Sequence, residues 1–402
     1  MDGAYKYVVV GGGLAGASCV EGIREIDRDG PILLLGAEKE RPYHRPPLTK
    51  QLWFKKKRVE DVFVRDLAWF SDQGVELRLD TEVVELDASA VRHFVTDKAG
   101  RTYRFEKLLL ATGGIPRRLD IPGGHLPGVS YYRTLADYQA LQPQAREGAK
   151  ALVVGGGFIG SEITAGFNVN KVDVTMVFPD PYLVSRVFPE SLGRAMTEQY
   201  KTRGVRVLAG DVPVSIENTG TAFVSRTKNG EKVSSDILVV GVGIVPGVEL
   251  ARAAGIRIEN GIVVDEFLRS SAPNVYAAGD NAQFPYQALG RPMRVEHWDN
   301  ALNQGKAAGR NMAGANEPYD YMPYFFSDLF EFGYEAVGDI DPRLETVVEW
   351  EKENDTGVIY FLQDERVRGA MMCNVWDKVP VARELIRSGE RMSSEELAGA
   401  IR

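Results

Sequence analysis

The stretches G-G-G-L-A-G at Gly11–Gly16 and G-G-G-F-I-G at Gly155–Gly160 decide the fold. Each follows a short apolar run, Tyr7–Val10 and Ala151–Val154, that reads as a buried strand. A strand that enters such a turn and leaves it as a helix opens a dinucleotide-binding βαβ unit. The glycines have separate tasks. Gly11 and Gly155 make the tight bend, Gly13 and Gly157 let the backbone approach a pyrophosphate, and Gly16 and Gly160 let helix and strand pack closely. The helix N-terminus then attracts the phosphate charge. One such turn also occurs for packing alone. Two in one chain imply two dinucleotides and the passage of electrons between them.

Working outward from the first turn, the second strand Ile32–Leu35 is followed by Glu38, an acid placed to accept both hydroxyl protons of an adenosine ribose. A loop rich in proline and basic residues, Arg41–Lys50, comes next. Strand patterns occur at Val75–Leu79 and Val83–Leu86, and Leu108–Leu110 reads as a buried strand entering A-T-G-G at Ala111–Gly114. Pro116, Pro122 and Pro127 mark a linker. The second unit starts near Lys150, and its second strand is Val172–Val177. Val275–Asp280 reads as a strand entering A-A-G-D. That turn lies far downstream of the second unit, so the first domain is expected to be discontinuous. Helical periodicity runs from Asn300 to Ala313, and the tail from Val347 alternates like antiparallel strands.

The 402 residues carry a net charge of −8, which argues against a general nucleic-acid role. No apolar run approaches the roughly 20 residues of a membrane helix. The first strand begins almost at the N-terminus, so no secretory signal is expected ahead of it and a cytoplasmic location follows. The two cysteines, Cys19 and Cys373, exclude a C-x-x-C redox pair. Cys19 reads as a small packed residue. No His/Cys cluster suggests a metal. The basic run Lys55–Arg58 reads either as a solvated loop or as a docking patch for an acidic redox partner.

Over nearly its whole length the chain resembles the two-dinucleotide flavoprotein reductases. That family includes ferredoxin and rubredoxin reductases, monodehydroascorbate reductases and apoptosis-inducing factor. The motifs that carry the likeness to the apoptosis-inducing-factor branch are R-P-P-L-T-K-Q-L-W (Arg45–Trp53), A-T-G-G (Ala111–Gly114) and G-G-G-F-I-G-S-E (Gly155–Glu162). To these are added V-F-P-D (Val177–Asp180), A-A-G-D (Ala277–Asp280), V-E-H-W-D (Val295–Asp299), F-F-S-D-L (Phe325–Leu329) and V-P-V-A-R-E-L-I-R-S-G-E (Val379–Glu390). The resemblance implies an α/β fold with two Rossmann-like domains in a glutathione-reductase-like arrangement and an α+β C-terminal domain. Residues 1–120 and 247–317 would bind FAD, 121–246 would bind NAD(H), and 318–402 would form the third domain.

Site roles follow from the same resemblance. Glu38 would hold the FAD ribose, Arg45 would face its pyrophosphate, and Arg133 would contact the cofactor less specifically. Asp280 would bind the ribityl chain, with His297 and Trp298 at the pyrimidine end of the flavin. Phe326 stands where a relative has a tryptophan. Ala111, Thr112, Gly113, Ile159, Gly243, Gly279 and Glu296 complete the cofactor-binding set. Lys50 and Glu162 look like a pair beside the flavin's reactive nitrogen, although the residues alone read first as a surface lysine and a glutamate near a helix N-terminus. Phe158, by itself a packing aromatic, would cover the flavin until nicotinamide enters. Phe178 occupies the usual acidic position after the second strand and cannot bond ribose. Asp180, two residues on, matches the glutamate of the family's F-P-E string, and the resemblance assigns it that task, favouring NADH over NADPH, with Arg186 as the residue that could reach a 2′-phosphate.

Departures from the family pattern narrow the activity. The missing cysteine pair excludes the disulfide-reductase branch. Tyr43 and His44 occupy the region where the peroxidase and oxidase branch has its cysteine. Leu302 and Phe326 replace the substrate arginine and tyrosine of monodehydroascorbate reductases. The expected activity is that of an NADH:acceptor oxidoreductase, with an iron–sulfur protein, a quinone or oxygen as external acceptor. The alternatives are a redox-sensing interaction protein with slow turnover, or a ferredoxin- or monodehydroascorbate-type reductase. A homodimer is compatible with each.

Overall fold

The computed structural model describes residues 3–89 and 92–401, and the chain forms two compact units. The first takes the chain up to His44, Val59–Ile115 and Val245–Pro323. The second takes Arg45–Arg58, Pro116–Ile244 and the chain from Tyr324 onward.

In the first unit, Val75–Arg78, Ile32–Leu35, Gly3–Val10, Thr102–Leu110 and Val275–Ala277 lie side by side in parallel. Val8, Val9, Leu33, Leu34, Leu108 and Leu109 are inaccessible. A parallel strand is covered on both faces, which is why these runs are continuously apolar rather than alternating. The helix Leu14–Ile26, which leaves the first glycine turn, packs against Trp298–Met312 through small residues. A Cβ on Gly305 would stand 2.3 Å from the Ala15 carbonyl oxygen, and one on Gly309 would stand 2.1 Å from that of Cys19. The chain that returns late in the sequence therefore docks backbone to backbone on the first βαβ unit. Cys19 is buried in this contact, with Sγ 3.7 Å from Met312 Sδ, and burial pushes its thiol up.

In the second unit the parallel order is Arg206–Ala209, Asp173–Phe178, Lys150–Val154, Ile237–Val240 and Val129–Tyr131. An antiparallel meander, Pro213–Asn218, Phe223–Thr227 and Lys232–Ser235, accompanies it. Ile216, Phe223 and Val233 of the meander close a core with Leu152, Val177 and Val240 of the sheet. The same unit holds a five-stranded antiparallel sheet in the order Tyr324–Leu329, Phe332–Gly338, Arg366–Cys373, Thr356–Gln363, Glu345–Lys352. The helix Val379–Ser388 lies against its middle strands.

Two details differ from the sequence pattern. The late helix begins at Trp298 rather than Asn300, with His297 as N-cap. The strands Tyr324–Leu329 and Phe332–Gly338 fall where no alternation was legible. In the first of them the buried positions are Phe325, Ser327 and Leu329, and the serine breaks the apolar period. The second is buried along most of its length, which removes the period altogether.

Candidate functional site

The two glycine turns have the same geometry. Gly11 and Gly155 have φ of +130° and +124°, and a Cβ on either would strike a carbonyl of the neighbouring strand's end, Ala111 at 2.1 Å or Gly241 at 2.3 Å. A Cβ on Gly16 or Gly160 would strike the turn itself. At Gly13 and Gly157 a Cβ would meet nothing within 4 Å. These middle glycines are the N-caps of Leu14–Ile26 and Phe158–Val169, with no side-chain cap and no acidic residue in either first turn. Each turn thus presents uncapped backbone N–H groups toward an open approach, the arrangement a pyrophosphate requires. Both turns fit a dinucleotide on these grounds.

In the first unit, three further segments converge on the Gly11–Gly16 turn at the carboxyl ends of the strands, where open α/β sheets bind ligands. Ala111–Gly113 follows the central strand and lies against Gly11. The A-A-G-D turn places Gly279 (φ +89°) so that its Cβ position is 3.1 Å from Ala15 Cβ, and Gly279 N donates to Gln304 Oε1 (2.8 Å). Asn281 Nδ2 ties the two turns together, donating to the Leu110 carbonyl (3.1 Å) and Thr112 Oγ1 (2.9 Å). Asp280 stands half-buried at this junction, its carbonyl held by Arg294 (2.9 Å). Glu38 follows Ile32–Leu35 and accepts a hydrogen bond from the Tyr43 hydroxyl (2.5 Å). Glu296 pairs with Arg294. His297 caps the late helix, and Trp298 Nε1 donates to His44 Nδ1 (2.8 Å).

In the second unit, Phe178 packs its ring beneath Gly156, where a Cβ would stand 2.6 Å from the ring. Phe178 is thereby committed to the floor of the turn. Asp180 lies just beyond it, half-buried, while Arg186 is exposed. Between them Val184 takes φ +55°, an uncommon conformation for a β-branched residue, and its N–H donates to the Gly156 carbonyl (2.7 Å). Phe158 and Ile159, both half-buried, form the first helical positions after the turn, and Gly243 (φ +95°) follows Ile237–Val240.

The segment Arg45–Arg58 is bound into this second unit. Arg45 donates to the Arg133 carbonyl (2.7 Å). Trp53 donates to the Tyr132 hydroxyl (3.2 Å), which in turn donates to the Leu48 carbonyl. Gly166 is a glycine because Trp53 lies on it, 2.8 Å from the Cβ position. This docking brings Lys50 to Glu162: Nζ lies 3.2 Å from Oε1, and each side chain is 7% exposed. Lys50 Nζ also lies 4.5 Å from the centre of the Phe326 ring, a cation–π distance, and 3.5 Å from the Phe326 carbonyl.

Glu162 accepts two more hydrogen bonds, from Thr49 Oγ1 to Oε2 (2.5 Å) and from Ser327 Oγ to Oε1 (2.6 Å). Two inaccessible phenols flank it. Burial, reinforced by the charge of Glu162, pushes both Tyr200 and Tyr334 well above the ordinary tyrosine value. The pair, with each side chain 7% exposed, sits away from bulk water, where a fixed positive charge is felt strongly. Thr49, Ser327, Asn281 and Gln304 were not singled out in the sequence, and Tyr43 and His44 were noted there only as standing where a related branch has its cysteine. Thr49 was detectable from its place beside Lys50, whereas nothing local links Ser327 to Glu162.

Comparison with known proteins gives the same outline. The profile of the pyridine nucleotide-disulphide oxidoreductases matches residues 5–305, and that of the C-terminal part of mitochondrion-associated apoptosis-inducing factor matches 308–356. The ferredoxin–NAD(+) reductase component of the anthranilate 1,2-dioxygenase system of Burkholderia cepacia is 34% identical over 98% of this chain and 97% of its own. Mitochondrial apoptosis-inducing factor 1 of Dictyostelium discoideum is 33% identical over 95% and 78%. The ferredoxin reductase for the CYP199A2 system from Rhodopseudomonas palustris superposes with a TM-score of 0.91 at 28% identity, over 100% of both chains. The reductase of the covalent putidaredoxin reductase–putidaredoxin complex gives 0.90 at 29%, covering 100% of this chain and 96% of that one.

Proposed function

Because the chain belongs to the pyridine nucleotide-disulphide oxidoreductase family and is an FAD-dependent NAD(P)H oxidoreductase, we propose that it oxidises NADH and passes the electrons to a small ferredoxin-type iron–sulfur protein. The carrying observation is the cysteine inventory. Cys19 and Cys373 are both buried and unpaired, so no protein disulfide takes the electrons, and the acceptor must come from outside. The end-to-end likeness to a ferredoxin–NAD(+) reductase component supports an iron–sulfur protein over a quinone or oxygen.

When bound, FAD supplies the chemistry that accepts a hydride and releases electrons singly. The chain supplies the rest. Gly11–Gly16, Glu38, Ala111–Gly113 and Asp280 hold FAD, with Arg45, Arg133, His297 and Trp298 assisting. Gly155–Gly160 and Asp180 hold NADH, Asp180 by accepting from two ribose hydroxyls and repelling a 2′-phosphate. Lys50, charged and fixed by Glu162, stabilises negative charge on the reduced cofactor. Phe158 covers the nicotinamide position. In this reading residues 1–120 with 247–317, 121–246 and 318–402 are the FAD, NAD(H) and C-terminal domains. A cytoplasmic setting is part of this reading; among the described residues no helix is long and apolar enough to cross a membrane.

The test is stopped-flow reduction by NADH, followed by a panel of [2Fe–2S] ferredoxins, quinones and oxygen. Rapid ferredoxin reduction is the expected result. The match to the apoptosis-inducing-factor C-terminal profile favours one second reading, a redox-sensing interaction protein. A long-lived reduced complex with an altered oligomeric mass, and no fast acceptor, would establish that reading instead.

A further inference from the structure

We propose that Thr49 and Ser327 are positioning residues that lock the Glu162 carboxylate and, through it, the Lys50 ammonium. The proposal rests on the reading of Lys50 and Glu162 as a pair acting in flavin reduction. Each hydroxyl takes a different oxygen: Thr49 donates to Oε2 at 2.5 Å and Ser327 to Oε1 at 2.6 Å. Lys50 shares Oε1. Thr49, Lys50, Glu162 and Ser327 are 4%, 5%, 6% and 1% exposed, so bulk water offers no replacement donor. A carboxylate accepts only, and its terminal torsion is soft when unbonded. One donor on each oxygen removes that freedom and leaves the ammonium one seat.

The donors come from stretches far apart in the chain. Thr49 precedes Lys50 in the docked Arg45–Arg58 segment, and Ser327 lies on the first strand of the antiparallel sheet. The residue before it, Phe326, gives its ring and carbonyl to Lys50. Two consecutive residues of that strand thus hold both members of the pair. The nearby Tyr200 cannot substitute, because its hydroxyl is committed to the Ser161 carbonyl (2.9 Å).

The experiment uses FAD-loaded full-length protein as wild type, Thr49→Val, Ser327→Ala, the double variant, Thr49→Ser and Lys50→Met. Three quantities are read: the acetylation rate of Lys50 by acetic anhydride, followed by peptide mass spectrometry, the limiting rate of reduction by NADH, and KM. In the double variant Lys50 should acetylate about tenfold faster, on the scale of a lost hydrogen bond to a charged group. The limiting rate should fall while KM holds, and Thr49→Ser should behave as wild type. Wild-type Lys50 reactivity in the double variant overturns the proposal. Should Thr49→Val not fold, Ser327→Ala makes the same comparison at Oε1, and unchanged reactivity there overturns it. Lys50→Met separates the two levels. If it is reduced by NADH as fast as wild type, the pair has no part in reduction, yet faster Lys50 acetylation in the hydroxyl variants still establishes the lock.

Discussion

A Cβ on Gly160 would stand 2.0 Å from the carbonyl oxygen of Gly155, so the second turn closes on its own helix with no room for a methyl group. The first turn repeats this, with 2.1 Å between a Gly16 Cβ and the Gly11 carbonyl. Neither obstacle is a flexible side chain, so the backbone must move. Gly160→Ala should therefore keep FAD and lose most reduction by NADH, while Gly16→Ala should be purified with little FAD. Absorbance of bound flavin and single-turnover reduction separate the two. Equal FAD loss in both variants would contradict the assignment of one cofactor to each turn.

The buried Lys50–Glu162 pair gives a stability prediction. Removing one partner leaves an uncompensated charge in the interior, which costs about 3–5 kcal/mol. Glu162→Leu and Lys50→Met should each destabilise on that scale, and the double variant should recover part of the loss rather than sum the two. Urea titration of the four proteins measures the coupling. Additive losses would mean that the two groups stabilise the unit independently.

Cofactor choice is proposed to turn on Asp180, the carboxylate assigned to the ribose, with Phe178 committed beneath Gly156. Asp180→Ala should lower the kcat/KM ratio of NADH to NADPH by about 1–2 kcal/mol, the worth of hydrogen bonds to a charged group. A wild-type protein that prefers NADPH would point to the exposed Arg186 instead.

Phe158 heads the helix after the second turn, the position proposed above for the nicotinamide. Phe158→Ala should speed reoxidation by small acceptors such as oxygen and weaken NAD⁺ retention by the reduced protein, by about 0.5–1.5 kcal/mol for a lost aromatic stack. Reoxidation traces in air, with and without NAD⁺, decide this. Traces identical to wild type would leave Phe158 a packing residue.

Acid sensitivity has an identifiable source in Asp27. Its Oδ2 accepts from Lys6 (2.7 Å) and Tyr7 (2.8 Å), and its Oδ1 accepts from the N–H groups of Gly30 (2.9 Å) and Asp29 (3.1 Å). The Lys6 bond leads in holding this carboxyl far below its ordinary value of 3.8, with burial opposing and the Gly30 and Tyr7 bonds assisting. A depressed folded value gives stability that is complete above the unfolded value and is lost as pH falls below about 3.8. Asp27→Asn should lower Tm at neutral pH and flatten its decline below pH 4. An unchanged acid limb would show that other carboxylates dominate it.

The glycine turns, the parallel strands and the A-T-G-G and A-A-G-D turns were legible because their requirements are local. A positive φ or a carbonyl in contact demands glycine, and a strand covered on both faces demands an unbroken apolar run. The strand Tyr324–Leu329 was hidden because its central buried position is Ser327, which serves Glu162 rather than the core.

The sequence by itself determined that this chain has two dinucleotide turns, that no cysteine pair carries its electrons, and which motifs hold the polar groups. Only the tertiary structure decided that Arg45–Arg58 belongs to the second unit. It alone decided that Thr49 and Ser327 join Lys50 on the Glu162 carboxylate, although Ser327 lies 165 positions from Glu162. The physical reason is that a turn is specified by its own residues. A buried ion pair is specified by whichever distant segments the packing of the core presses together, and no local pattern records that.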